Sequence, residues 1–171
     1  MPPIPLAYFI TFTCYGTRLH GSESGSVDRK HNIHGSPFLP PKLSWIGADE
    51  VHMKEKPYEM DPARRAIVLE TIQTVCGHRG WRLLAAHVRS QHVHLVLVAE
   101  VNPEKVLNDL KAYASRAFNQ GGLDNAVKKR WTRHGSMQYL WKQDEVGAAI
   151  HYVVREQGEP MAVWESPEAL R

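Results

Sequence analysis

The sequence predicts an α+β fold: a ferredoxin-like, split βαβ core with an antiparallel sheet, followed by one more helix. Three observations lead to this prediction. The regular segments follow in the order β, α, β, β, α, β, the two middle β segments are close enough for a hairpin, and a further helical stretch comes after them. At 171 residues the chain is long enough for a core of its own, so a single domain over 1–171 is expected.

The predicted strands are apolar runs rich in β-branched and aromatic residues, bounded by glycine or polar turns. The first, LAYFITFTCYG at 6–16, ends at a glycine. WRLLAAHVRS at 81–90 and HVHLVLVAE at 92–100 predict a hairpin. SMQYLWK at 136–142 predicts the strand that completes the split βαβ core.

The three predicted helices carry start and stop signals. Residues 61–80 begin with Asp61 as N-cap and a proline at the first helical position, and they end at a glycine. Residues 102–122 begin in the same way at Asn102 and end at two glycines. The last helix, 144–158, has two acidic residues in its first turn, near the positive end of the helix dipole.

Composition predicts a globular protein. Apolar residues make up 43% and charged residues 23% of the chain, and no run of about 18 apolar residues occurs. The opening residues lack an export signal, so a cytoplasmic protein without a membrane partner is expected. Cys14 and Cys76 form no CxxC pair and are expected to be buried apolar fillers. The net charge of +3 permits nucleic-acid binding without arguing for it.

Residues 17–60 form a long excursion between the first strand and the first helix, rich in Gly, Ser, Pro and His. A connection of this length inside a compact domain is usually functional or mobile. No second metal site is expected there, because the spacing of its histidines matches no zinc pattern. They are His20, His31, His34 and His52.

Two histidines, His92 and His94, lie two residues apart in the second strand of the hairpin. In a strand, residues i and i+2 project from the same face about 6–7 Å apart, so the two imidazoles converge while Val93 points into the core. Neutral imidazoles are common metal ligands, and the pair is therefore a candidate site for a divalent cation. A sheet face that merely carries two polar rings is the alternative.

The last helix supplies a phenol and a carboxylate one turn apart, Tyr152 and Glu156, which project from one face. A phenol with a pKa of about 10 attacks slowly unless a nearby cation favours the phenolate. A metal held by His92, His94 and Glu156 could favour the phenolate and also polarise the group attacked. A half-buried structural tyrosine is the alternative.

The residues around these side chains resemble a known family. QHVHLVLV resembles the His-hydrophobe-His motif of the HUH single-strand DNA endonucleases, and AIHYVVREQG resembles the tyrosine helix of their single-tyrosine transposases. These comprise insertion-sequence transposases of the IS-two-hundred type and the REP-associated tyrosine transposases. The resemblance spans about residues 6–158, and the order of strands and helices agrees with it.

The resemblance implies a transposase that cuts and rejoins single-stranded or hairpin DNA and is usually a homodimer. It implies His92 and His94 as ligands of Mg²⁺ or Mn²⁺, and Tyr152 as the nucleophile that forms a covalent 5′-phosphotyrosine. The family places Gln or Asn one helical turn after the tyrosine as third ligand. Here that position holds Glu156, followed by Gln157, so both residues stay candidates.

A basic segment, AVKKRWTRHG at 126–135, groups cations around an aromatic ring, a combination that binds single-stranded nucleic acid. A solvated basic loop whose tryptophan anchors it to the core is the alternative. Tyr113, on the second helix, is the alternative nucleophile, although alanine and serine surround it. The candidate DNA contacts are Lys111, Arg116, Lys128, Lys129, Arg130, Trp131 and Arg133, with Arg18, Arg29 and Lys30 of the excursion as further cations.

Three function classes follow. The first is the strand-transfer enzyme. The second is a catalytically silent DNA-binding protein of the same fold. The third is an RNA-binding ferredoxin-like domain, which ranks last because the central strand presents histidines where such domains present aromatic rings.

Overall fold

The computed structural model describes residues 2–17, 56–125 and 128–170. Most of the predicted excursion lies outside the described residues, including its four histidines and its cations Arg18, Arg29 and Lys30. The elements in chain order are β1 (Ala7–Thr13), α1 (Pro62–Arg79), β2 (Arg82–Val88), β3 (His92–Val98), α2 (Pro103–Gln120), β4 (Ser136–Leu140), α3 (Gln143–Arg155), β5 (Ala162–Glu165) and a 3₁₀ turn (Pro167–Leu170).

The strands form one antiparallel sheet in the order β4-β1-β3-β2-β5. The first four strands therefore have the arrangement of a split βαβ core, in which β3 lies between β1 and β2, and the predicted fold class is confirmed. The short strand β5 was not predicted. It has four half-buried residues and pairs with β2 from Ala85–Glu165 to Val88–Ala162. Its local sequence carries no clear strand signal.

Local signals explain the helix limits. The Asp61 carboxylate accepts the Arg64 backbone N–H at the start of α1, and Gly80 ends that helix with φ at 71°. The Asn102 side chain accepts the Glu104 N–H at the start of α2.

The end of α3 differs from the prediction. The helix was predicted to reach residue 158, but it ends at Arg155, and Gly158 turns the chain with φ at 77°. Glu156 is therefore the C-cap residue and not a member of the helix. The glycine that the sequence offers as a stop signal lies in the turn beyond the helix, which has already ended at Arg155.

The sheet has a core on each face. On one face α1 and α2 cover alternate residues of the central strands, in a cluster that includes Ile10, Phe12, Val93, Leu95, Leu97, Val68, Ile72, Leu110 and Phe118. On the other face α3 packs against β2 and β3, in a cluster that includes Leu84, Ala85, Val96, Val146, Ala149, Ile150 and Val153. Cys14 and Cys76 are buried free thiols, as predicted.

In the part of the chain that the structure describes, no helix is both long and apolar enough to cross a bilayer.

Gly135 marks a close approach between β1 and α2 just before β4. A Cβ atom at this position would lie 2.7 Å from the Thr11 carbonyl oxygen and 3.2 Å from Leu107 Cδ2. We expect Gly135→Ala to lower the free energy of unfolding by about 1–3 kcal/mol, because the strand or the helix must shift. Urea denaturation followed by circular dichroism measures this.

The matched control is Gly77→Ala in α1, where a new Cβ meets no atom of another described element within 4 Å. This change should raise the free energy of unfolding by roughly 0.5–1 kcal/mol, since alanine favours a helix interior over glycine. Equal effects of the two substitutions would contradict the packing described for Gly135.

Candidate active site

His92 and His94 lie side by side on the face of β3 that α3 covers, while Val93 between them is fully buried on the opposite face. Their ring centroids are 5.9 Å apart and the ring planes differ by 13°, so the two imidazoles are stacked. His94 is 4% exposed, and His92 is half-buried at the end of the strand. The strand thus presents two parallel imidazoles on one face.

Thr11 orients the ring of His94. The two residues are direct partners in the pairing of β1 with β3, and the Thr11 hydroxyl lies 2.9 Å from His94 Nδ1. A hydrogen bond to one ring nitrogen fixes the orientation of a metal-binding imidazole, and the nitrogen that could bind a cation is then Nε2. Sequence reasoning missed Thr11. The signal was present, because Thr11 and Thr13 are polar residues on one face of an apolar strand.

Tyr152 lies next to this pair in the same chain. Its ring centroid is 6.0 Å from that of His94 at an interplanar angle of 83°, and 5.8 Å from that of Phe9 at 72°. The Tyr152 side chain is 38% exposed, so solvent and a substrate can reach it. The structure thus brings together the phenol and the two imidazoles that the sequence singled out, and Phe9 supports the phenol from β1.

The two side chains expected as a third metal ligand, Glu156 and Gln157, have other hydrogen-bond partners in this structure. The Glu156 carboxylate lies 2.7 Å from His151 Nδ1, and Gln157 Nε2 donates to the Tyr152 carbonyl at 3.2 Å. Within residues 2–17, 56–125 and 128–170, no three or more His, Cys, Asp or Glu side chains are arranged to hold a metal. Glu156 follows directly after the last residue of α3, and its role as a third metal ligand stays a prediction, as does that of Gln157.

Arg130, expected to contact DNA, is instead buried. It is 4% exposed, and its guanidinium donates to Asp124 at 3.2 Å and to the Asn119 side chain at 2.6 Å. Asp124 also accepts from Arg64 and Tyr58, so this carboxylate joins the start of α1 to the chain after α2. Arg130 therefore stabilises the fold through its contacts with Asp124 and Asn119.

Trp131 and Lys111 also attach the basic segment to the rest of the fold. The Trp131 ring packs against Phe12, and its Nε1 donates to Ser115 Oγ at 2.9 Å. Lys111 Nζ donates to the carbonyl oxygens of Thr132 and His134 at 2.8 and 2.5 Å. Burial lowers the pKa of Lys111 to about 8. The structure thus shows that Trp131 anchors the segment to the core, and DNA binding by the surface cations of the segment stays a prediction.

The remaining candidate cations lie nearer the surface. Arg133 and Lys129 are exposed and Lys128 is half-buried. Lys129 Nζ is 5.4 Å from the centroid of the Tyr15 ring. Arg116 is exposed on α2 with its guanidinium 4.7 Å from the Tyr113 ring.

Tyr113, the alternative nucleophile, is 37% exposed and lies on α2. That helix packs against the sheet face opposite to the one that carries His92 and His94. The sheet therefore separates Tyr113 from the paired imidazoles of its own chain, and Tyr152 is the tyrosine that meets them.

Residues 54–154, more than half of the chain, match the family model of IS200-like transposases. The chain belongs to this family, whose members act on DNA, and the resemblance drawn from its motifs is confirmed. No curated protein matches the chain. A solved structure of a REP-associated tyrosine transposase bound to a REP hairpin is similar with a TM-score of 0.46 and 10% identity. That match covers 88% of this chain and 66% of the transposase.

The half-buried ammonium of Lys111 predicts a pH-dependent stability. Its pKa is about 8 in the folded protein, below the 10.5 of an ordinary lysine side chain, so between these limits the unfolded chain binds more protons at this site. The contribution of Lys111 to the free energy of unfolding should therefore rise with pH from 8 to 10. A neutral Lys111 amine still has two N–H groups, so it can keep its hydrogen bonds to the carbonyl oxygens of Thr132 and His134.

The measurement is the difference in free energy of unfolding between wild type and Lys111→Met at pH 8, 9 and 10. Taking the difference removes contributions shared by both proteins, such as Cys14, Cys76 and Tyr58, whose pKa values burial raises to about 12. A difference that falls with pH would contradict the burial described for Lys111.

Proposed function

We propose that this chain is a metal-dependent single-stranded DNA endonuclease and strand transferase that acts through a covalent 5′-phosphotyrosine on Tyr152. The observation that carries the proposal is the position of the Tyr152 ring, 6.0 Å from that of His94 in the same chain. Membership of the IS200-like transposase family supports DNA as the substrate. The substrate proposed is single-stranded or hairpin DNA.

His92 and His94 would hold the divalent cation, Mg²⁺ or Mn²⁺, and imidazole nitrogen suits Mn²⁺ better than Mg²⁺. When bound, the cation supplies polarisation of the scissile phosphate and favours the phenolate. Glu156 or Gln157 would supply the third donor. For Glu156 this requires that its carboxylate leave His151, an exchange that two exposed side chains allow.

The chain's own residues then perform the displacement. The Tyr152 hydroxyl loses its proton and its oxygen attacks the phosphorus, the bond from phosphorus to the 3′ oxygen breaks, and that oxygen takes up a proton as it leaves. Thr11 holds the ring of His94, and Phe9 packs against the phenol. Attack by an incoming 3′-hydroxyl reverses the step and rejoins the strand.

Surface cations of the basic segment would bind the phosphate backbone, since neutralising phosphates supplies most of the sequence-independent affinity for DNA. Lys128, Lys129 and Arg133 are the candidates there, and Arg116 is a further one on α2. The homodimer expected from the resemblance stays a prediction. The proposed site is formed by His92, His94 and Tyr152 of one chain.

A catalytically silent DNA-binding protein is the second candidate. The contact of Glu156 with His151 favours it, because a third metal ligand is then engaged elsewhere. Both candidates share the fold and the DNA surface, and they differ in whether a covalent adduct forms.

Tyr152→Phe should abolish the covalent adduct with a labelled single-stranded hairpin oligonucleotide, since the attacking oxygen is removed. The adduct is measured by denaturing gel electrophoresis with Mn²⁺, with Mg²⁺ and with EDTA. We expect an adduct in wild type with either metal and none with the chelator.

Tyr113→Phe is the matched control and should keep the adduct. An adduct that persists in Tyr152→Phe and disappears in Tyr113→Phe would move the nucleophile to α2. DNA binding by wild type without any adduct would favour the silent binding protein.

Arg133 and Arg130 should differ in what they control. Arg133→Met should weaken binding to all sequences and reduce the slope of log affinity against log salt by about 1, as expected for one lost phosphate contact.

Arg130→Met should lower the free energy of unfolding by about 3 kcal/mol, since it breaks a buried ion pair while Arg64 stays on Asp124. Fluorescence anisotropy and urea denaturation measure the two effects. The reverse result would place Arg130 in the DNA-binding surface.

A further inference from the structure

His87 is a histidine that lies fully inside the protein. It is 0% exposed, and it sits on β2 directly opposite His94 in the pairing of β2 with β3. An imidazole removed from water is costly unless its ring nitrogens form hydrogen bonds. The sequence gives little sign of this residue, because it stands in the apolar run RLLAAHV.

Both ring nitrogens of His87 have backbone partners. Nδ1 lies 2.9 Å from the Val153 carbonyl oxygen, and the Met161 N–H donates to Nε2 at 3.0 Å. Because the Met161 N–H can only donate, Nε2 accepts and Nδ1 carries the proton that is donated to Val153. One neutral ring therefore satisfies one carbonyl and one amide.

These two partners lie on either side of the turn that follows α3. Val153 is in the last turn of the helix, where carbonyl oxygens have no partner within the helix. Met161 directly precedes β5, which pairs with β2. Arg89, two residues after His87, donates to the Glu159 carbonyl at 2.9 Å and so fixes the same turn. The end of α3 is therefore attached to β2 at fixed points.

Tyr152 is the residue next to Val153. The apolar contacts of α3 hold the helix on the sheet, and the bond from the sheet to the Val153 carbonyl constrains the height and rotation of its last turn. Those two variables decide whether the phenol of Tyr152 points toward His94. Phe9 contacts the phenol ring itself, whereas His87 acts on the backbone that carries it.

We propose that His87 is a positioning residue for the nucleophile: through the carbonyl of Val153 and the amide of Met161 it holds the last turn of α3 so that Tyr152 stays beside His94. This inference rests on the proposed function for its effect on the reaction. The effect on the helix stands by itself, because it concerns only contacts within the chain.

A small displacement of a reacting group is enough to slow a displacement reaction, and misplacement by about 1 Å costs on the order of 100-fold in rate. We therefore expect His87→Ala to slow adduct formation by roughly 10–100-fold. Affinity for the oligonucleotide should stay at the wild-type value, because His87 is buried and does not reach the DNA surface. This separation of rate from affinity is a result that general destabilisation does not produce.

The experiment compares wild type, His87→Ala, His87→Gln and the control Val68→Ala. Val68 is also 0% exposed, but it belongs to α1 on the opposite face of the sheet, so its variant reports loss of a buried side chain alone. Glutamine carries an NH₂ donor group and a carbonyl acceptor and should restore part of the rate. If His87→Ala does not fold, His87→Phe takes its place, because it fills the same space without either hydrogen bond.

Two readouts are taken on each protein: amide hydrogen exchange along the chain, and the rate of adduct formation with the hairpin oligonucleotide and Mn²⁺. In His87→Ala we expect faster exchange confined to the last turn of α3 and to Met161, together with the slower adduct formation. In Val68→Ala we expect faster exchange in α1 and an adduct rate near that of wild type.

Unchanged exchange at the end of α3 in His87→Ala would overturn the inference, and so would faster exchange with an unchanged adduct rate. Absence of any adduct from wild type would defeat the proposed function and leave the exchange result to decide whether His87 positions the helix. The two proposals therefore fail in different ways.

Discussion

The antiparallel pairing of β3 with β1 and β2 is the constraint on which the candidate site depends. It places Thr11, His94 and His87 in one row across the middle of the sheet, because direct partners in an antiparallel sheet project from the same face. A shift of register by one residue would turn His92 and His94 into the core beneath α1 and α2. The buried Val93, Leu95 and Leu97 on that side oppose such a shift.

The same packing that stabilises the sheet brings the phenol to the imidazoles. α3 buries Val146, Ile150 and Val153 against β2 and β3, and Tyr152 lies at the edge of this apolar contact, where it is 38% exposed. The nucleophile thus stands on a helix whose position is fixed by a core. Reactive groups on such elements keep a more precise geometry than groups on loops.

Positively charged side chains have two uses in this fold. Arg64 and Arg130 both donate to Asp124, and Lys111 donates to two carbonyls of the chain before β4. These cations are directed inward and hold the chain together, whereas Arg133 faces solvent. The sequence alone does not show which arginine is buried and which is exposed, because Arg130 and Arg133 are the same residue type in the same segment.

The sequence by itself determined the order of the elements, the split βαβ core and the shared face of His92 and His94, since caps, prolines and the two-residue period of a strand are local properties. It also singled out Tyr152, first through its spacing to Glu156 and then through the resemblance of its motif to a known family. Only the tertiary structure decided that β5 extends the sheet, that α3 ends at Arg155, that Glu156 contacts His151, and that Arg130 is buried. Each of these features depends on contacts between residues far apart in the chain, or on which of several partners a side chain contacts. A local sequence pattern contains no information about either.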